Sequence, residues 1–189
     1  MVSDRRIVKP VAGIPAVLLT VLALLSPMHS HAQRDAQNEP ANFVQWRDGL
    51  ASSGQPDQSW LALAKQKKYV MIVNLAPPQS DGSIETEGAI AGKQGLVYVN
   101  IPVDFNKPVL RDFEFFSAVM KGAAGKNVLV HCQVNLRGSS FVYLYRAIHE
   151  GVPARDAAAK LAGVWVPNAV WRQFIEETMA HYGKKAEID

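Results

Sequence analysis

The 189-residue chain has a single cysteine, Cys132, so it cannot be a small domain stapled by its own disulfides. It is also short of charge: charged residues make up 20% and the formal net charge is only +3. That small excess sits at one end. Arg5, Arg6 and Lys9 stand against Asp4 within residues 1–32, leaving 17 basic against 16 acidic residues in the rest. A nearly neutral body lacks the basic footprint of a nucleic-acid binder, so no nucleic-acid partner is expected. Thirteen glycines and 11 prolines, with 48% hydrophobic residues, exclude collagen-like and disordered chains. There is no internal repeat. The five histidines (His29, His31, His131, His149 and His181) show no metal-ligand spacing with Cys132, so no zinc site is expected; no cofactor is expected either.

What is present begins with a leader. Basic residues occupy positions 1–10, an apolar run follows from Val11 to Leu25, and Ser30 and Ala32 supply the small residues of a cleavage site after Ala32. That order reads as a secretory signal peptide over 1–32. The run falls short of the roughly 20 residues that span a bilayer and has no cationic flank behind it. No second long apolar run follows, so no membrane span is expected after cleavage. The expected location is outside the cytoplasm, periplasmic or secreted. Residues 33–42 are polar and read as a loose lead-in, 43–182 as one domain, and 183–189 as a frayed tail.

Within the domain, three apolar runs read as strands: Tyr69–Leu75, Leu96–Val103 and Asn127–His131. Each is nearly continuous in Val, Ile, Leu, Met or Tyr, as in strands covered on both faces. Helical periodicity occupies Asp57–Gln66, Val109–Lys121, Gly138–Glu150, Ala154–Leu161 and Pro167–Tyr182. The third of these is apolar nearly all round and reads as a central, buried helix. Alternating strands and helices predict an α/β fold with a mostly parallel central sheet flanked by helices. Ser52–Pro56 and Asn74–Gly82 read as loops.

A lone cysteine in an exported chain is buried and inert, joined to another chain, or retained for chemistry. The residues around Cys132 favour chemistry. It closes the strand Val128-Leu129-Val130-His131 and precedes a short loop and the buried helix. Ligands of parallel α/β folds collect at that edge. Loop amides and helix N-terminal N–H groups converge there, and Arg137 adds a guanidinium, making an oxyanion socket beside a sulfur. The same positive field stabilises a thiolate, which is a nucleophile.

The stretch Val128–Cys132, with Arg137 and Ser139, resembles the active-site loop of cysteine-dependent phosphatases of the dual-specificity and tyrosine-phosphatase type. Ile101-Pro102-Val103-Asp104-Phe105 resembles the segment that carries that family's general acid. Arg146–Pro153, Trp165–Trp171 and Ser53-Gly54-Gln55-Pro56 are similar to segments of bacterial members, so the likeness covers about residues 43–182. The resemblance implies a phosphorylated substrate and a role for each residue. Cys132 attacks phosphorus, giving a phosphocysteine. Arg137 and the amides of Gln133, Val134, Asn135, Leu136 and Gly138 hold the phosphoryl oxygens. Asp104 protonates the leaving oxygen and later activates water, Ser139 donates to the departing sulfur, and His131 orients the loop from behind.

The family separates Cys and Arg by five residues, whereas four lie between Cys132 and Arg137. Two registers fit. In one, Ser139 keeps the family's serine place and Arg137 moves forward, with Gly138 at the arginine place. In the other, the loop is one residue shorter and Ser139 begins the helix. A four-residue loop also resembles that of rhodanese-type sulfurtransferases, in which Cys132 would carry a persulfide. A third alternative is an anion-binding module without turnover.

Overall fold

The computed structural model describes residues 39–188. The signal peptide expected over 1–32 and the first part of the expected lead-in lie outside the described residues. Five strands form one sheet: β1 (Val44–Arg47), β2 (Leu50–Ser53), β3 (Met71–Asn74), β4 (Val97–Asn100) and β5 (Val128–His131), in the order β1-β2-β5-β3-β4. β1 runs antiparallel to β2, and every other pairing is parallel. Among the described residues six helices accompany them: α1 (Gln58–Ala62), α2 (Glu87–Lys93), α3 (Leu110–Gly122), α4 (Leu136–His149), α5 (Ala154–Ala162) and α6 (Ala169–His181). This is the α/β architecture the alternation predicts. Among the described residues, no helix is long and apolar enough to cross a membrane.

The three apolar runs become β3, β4 and β5. Two strands and one helix had no such signature. β2 is Leu-Ala-Ser-Ser, and its serines belong to the stretch expected to be loop, yet both are fully buried. They are tolerated because each hydroxyl is used: Trp46 Nε1 donates to Ser52 Oγ at 2.8 Å, and Ser53 Oγ donates to Gly54 O at 2.7 Å. α2 carries Gly88 and Gly92 within seven residues, which hides it from propensity. The helix expected over 57–66 keeps α-helical form only from Gln58 to Ala62, capped by Asp57 accepting from Trp60 N at 2.7 Å.

Helices cover both faces of the sheet. On the larger side Val128 and Val130 pack under α3, α4 and α6 with Phe113, Phe116, Phe141 and Trp171. On the other side Leu129 joins Ala51, Ile72, Trp60, Leu61 and Ala91 under α1 and α2. Strand alternation therefore sends Cys132 to the larger side, where it is part of that core, and His131 to the smaller. α4 is buried all round at Phe141, Val142, Tyr143 and Leu144, as a helix crossing the middle of a layer must be.

Both ends of the domain are fastened. Glu39, in the expected lead-in, pairs with Lys67 Nζ at 2.9 Å and accepts from Trp60 Nε1 at 3.1 Å. In the tail expected to fray, Ala186 and Ile188 pack on the larger core, and Arg172 Nη1 donates to Ile188 O at 3.2 Å.

The end of α4 is tied to β1 through Glu150. Arg47 reaches its Oε1 at 2.7 Å, and Arg146 Nε reaches Oε2 at 3.1 Å. Burial alone would push the Glu150 carboxyl up, but hydrogen bonds from Arg47 and Arg146 outweigh it and hold the carboxyl below its ordinary value. A group with a lowered folded pKa stabilises above the ordinary carboxylate range and loses that contribution as pH falls through the folded value. Glu150→Gln is expected to cost about 1 kcal/mol in urea unfolding at neutral pH. The difference from wild type shrinks as pH falls through the lowered folded value, below which both chains carry neutral groups at this position.

Candidate active site

Cys132 follows β5 and Leu136 opens α4, so only Gln133, Val134 and Asn135 bridge strand and helix. So tight a turn needs one residue in the left-handed region, and Asn135 supplies it with φ of 70°. Asparagine tolerates that conformation better than most residues. Gly138, in the first turn of α4, permits the close return of this loop: a Cβ there would lie 2.7 Å from Asn135 Oδ1. Gly138→Ala is expected to displace the Asn135 side chain and destabilise by about 1–3 kcal/mol, read by thermal unfolding.

Phe105, Cys132, Gln133, Val134, Leu136 and Arg137 line a cavity of about 180 Å³, far more room than one ordered water takes. Cys132 is nearly inaccessible from bulk solvent but forms part of this wall. Arg137 is 8% exposed, and its Nε is buried without a partner. Among the described residues no carboxylate pairs with it. Its Cζ lies 5.3 Å from the centre of the Phe105 ring, a cation–π contact that fixes the guanidinium without neutralising it. A buried, uncompensated cation is costly unless an anion completes it.

The loop that lines this cavity leaves amide donors free. Among the described residues, the N–H groups of Gln133, Val134, Leu136, Arg137 and Gly138 have no backbone acceptor. The last three belong to the first turn of α4, where N–H groups have no intrahelical partner and the helix field is positive. Such a field favours an oxyanion in the cavity.

The other expected residues occupy distinct places. Ser139 Oγ donates to Asn135 O at 2.7 Å, so its hydroxyl is engaged within the first turn of α4. Of the two registers, the geometry has Arg137 on the cavity wall and Ser139 inside the helix. Asp104 is exposed and does not line the cavity. Its Oδ1 accepts from Asn106 N at 2.9 Å, forming a turn that presents the neighbouring Phe105 to the cavity. Trp171 Nε1, from α6, secures this turn by donating to Phe105 O at 2.9 Å.

His131 points away from Cys132, to the α2 side of the sheet. There its Nε2 meets Glu87 Oε1 at 2.8 Å, with both side chains almost wholly buried. The second carboxylate oxygen accepts from Asn74 Nδ2 at 3.2 Å and Tyr98 OH at 3.3 Å. Burial foremost, with the Glu87 charge nearby, pushes the Tyr98 phenol up to about 12, so it remains a donor. Glu87, Asn74, Tyr98 and the wall residue Phe105 were not foreseen as site residues. Glu87 lies 44 positions before His131, and no local pattern links the two. Among the described residues, no group of three or more His, Cys, Asp or Glu side chains converges to hold a metal ion.

This strand, loop and helix under a mostly parallel sheet make the fold that of the cysteine-dependent phosphatases. The catalytic domain of the PP-IP phosphatase Siw14 from S. cerevisiae, in complex with citrate, superposes with a TM-score of 0.61 at 17% identity. The match covers 72% of this chain and 85% of that one. TpbA of P. aeruginosa gives 0.58 at 16% identity, over 72% and 84% of the two chains. At higher identity stands a candidate phosphatase of the DUF442 group from Shewanella putrefaciens CN-32, with 33% identity and a TM-score of 0.71. That likeness covers 79% of this chain and 96% of the Shewanella protein, and the chain belongs to the DUF442 family. No family model matches the sequence, and no curated protein matches it.

Proposed function

We propose that the protein is an exported cysteine-dependent phosphatase that hydrolyses a phosphate monoester through a phosphocysteine on Cys132. One observation carries this reading: a thiol and an unpaired, buried guanidinium share one cavity, on a loop whose amides are left free. The activities named for the solved relatives are those of phosphatases, which supports the same chemistry.

The Cys132 thiolate attacks phosphorus, and the ester oxygen departs with a proton from Asp104. Arg137 and the loop amides hold the three remaining oxygens, where charge is spread in the transition state. Water then attacks the phosphocysteine, giving its proton to Asp104, and the sulfur leaves as a thiolate. Asp104 precedes Phe105, which lines the cavity, and its carboxyl serves both steps once it leaves its turn. His131 acts from behind, through the strand that ends just before Cys132. The leader over residues 1–32 takes the chain out of the cytoplasm.

The test is hydrolysis of an aryl phosphate by the protein from residue 33 onward, with reductant and without added metal. Cys132→Ser is expected to abolish turnover while leaving the unfolding temperature near that of wild type. Equal activity in Cys132→Ser would reject the cysteine mechanism.

A further inference from the structure

Ser53-Gly54-Gln55-Pro56 and the residues before β1 have no part in the chemistry above, yet they meet at the back of the catalytic loop. Gln55 N donates to Gln133 O at 3.0 Å, and Gly54 N donates to Ala41 O at 2.7 Å. A Cβ on Gly54 would lie 3.0 Å from Ala41 O and 3.1 Å from Gln133 O, so any larger residue would press on both segments. Asn42 completes the arrangement. Its Nδ2 donates to Val134 O at 3.0 Å, and Asn135 Nδ2 donates back to Asn42 O. Both asparagines are left-handed, with φ of 53° and 70°.

We infer that Asn42 is a positioning residue: with Gly54 it forms a clasp, supplied from outside the sheet, that sets the catalytic loop for anion binding. The peptide bond is planar and trans, so its C=O and N–H point in opposite directions. Gln133 O is held outward by Gln55, and the Val134 N–H is thereby turned the other way, toward the cavity its own residue lines. Holding Val134 O and the Asn135 side chain together fixes the left-handed turn that starts α4. The free amides of Leu136, Arg137 and Gly138 are aimed by that start. Nothing in the loop alone imposes this, because Asn135 makes no side-chain cap to its own helix.

This inference deepens the phosphatase reading and rests on its anion site, but it can be tested without turnover. Inorganic phosphate is titrated against iodoacetamide alkylation of Cys132, alongside kcat and KM on an aryl phosphate. Asn42→Gly keeps the left-handed backbone and removes the donor; it is expected to raise the half-protecting phosphate concentration about five- to tenfold. Asn42→Asp places a carboxylate against Val134 O and is expected to raise it further. Glu39→Gln, which loosens the same segment three residues earlier, should leave protection unchanged. Wild-type protection in both Asn42 variants, or an equal loss in Glu39→Gln, would overturn the clasp. If wild type is protected, the Asn42 variants lose protection and no ester is hydrolysed, the clasp stands and the phosphatase reading falls. If phosphate never protects wild type, both fall.

Discussion

Arg137→Met is expected to reduce kcat/KM on an aryl phosphate by about 10²–10³-fold, the typical loss when one preorganised oxyanion donor is removed. The same change should raise thermal stability. A half-turn into α4, the guanidinium is buried with Nε unpartnered and only the Phe105 ring for company. An apolar chain of similar length removes that uncompensated charge and keeps the packing against the ring. The gain is expected to be about 1 kcal/mol, as when a strained functional group is replaced by a well-packed one. Arg137→Lys should fall between the two, keeping charge but losing the planar fork that grips two oxygens at once. Activity and stability moving in opposite directions is the signature to look for. If both fell together in Arg137→Met, the arginine would be a structural residue, and the cavity would lose its claim to an anion.

The largest loss of stability is expected on the opposite face of the sheet. Glu87→Ala removes a carboxylate that meets His131 at 2.8 Å and satisfies Asn74 and Tyr98, all in a nearly dry setting. Taking away one member of a buried pair leaves the other unmatched, at a cost of about 3–5 kcal/mol. The double variant Glu87→Leu with His131→Leu should recover most of that loss, because an apolar pair needs no partner. It should not recover activity to the same extent, since β5 ends at His131 and the loop begins one residue later. Chemical unfolding of Glu87→Leu, His131→Leu and the double variant measures the coupling directly. Additive losses would mean that the two side chains touch without depending on each other.

The sequence exposed the central parts of this molecule because their signals are local. Val128–Val130 is apolar on both faces since both faces are covered, and α4 is apolar all round since it crosses the core. Cys132 and Arg137 stand five positions apart, and a strand–loop–helix turn brings any such pair to one edge. β2 escaped notice because Leu-Ala-Ser-Ser carries no β-branched residue, and its burial depends on Trp46 and on the neighbouring strand. α2 escaped because two glycines weaken it and packing against Leu96 and Tyr98 stabilises it. Glu87 escaped for the same reason: its partner arrives through the β3–β5 register, which sets Asn74 opposite His131. Asn42 looked like loose lead-in because its two bonds reach 92 and 93 residues along the chain. Contacts made by tertiary closure leave no periodicity to read.

The central claim is that phosphorus is carried by Cys132, and rapid-quench intact mass spectrometry during turnover tests it most directly. Asp104→Asn is expected to slow breakdown of the proposed intermediate as well as its formation, so the variant is mixed with an activated aryl phosphate, whose leaving group needs no proton. The account predicts one phosphoryl group per chain, located on Cys132 and absent in Cys132→Ser. A chain that stays at its unmodified mass, yet gains one sulfur on Cys132 from thiosulfate, would contradict it.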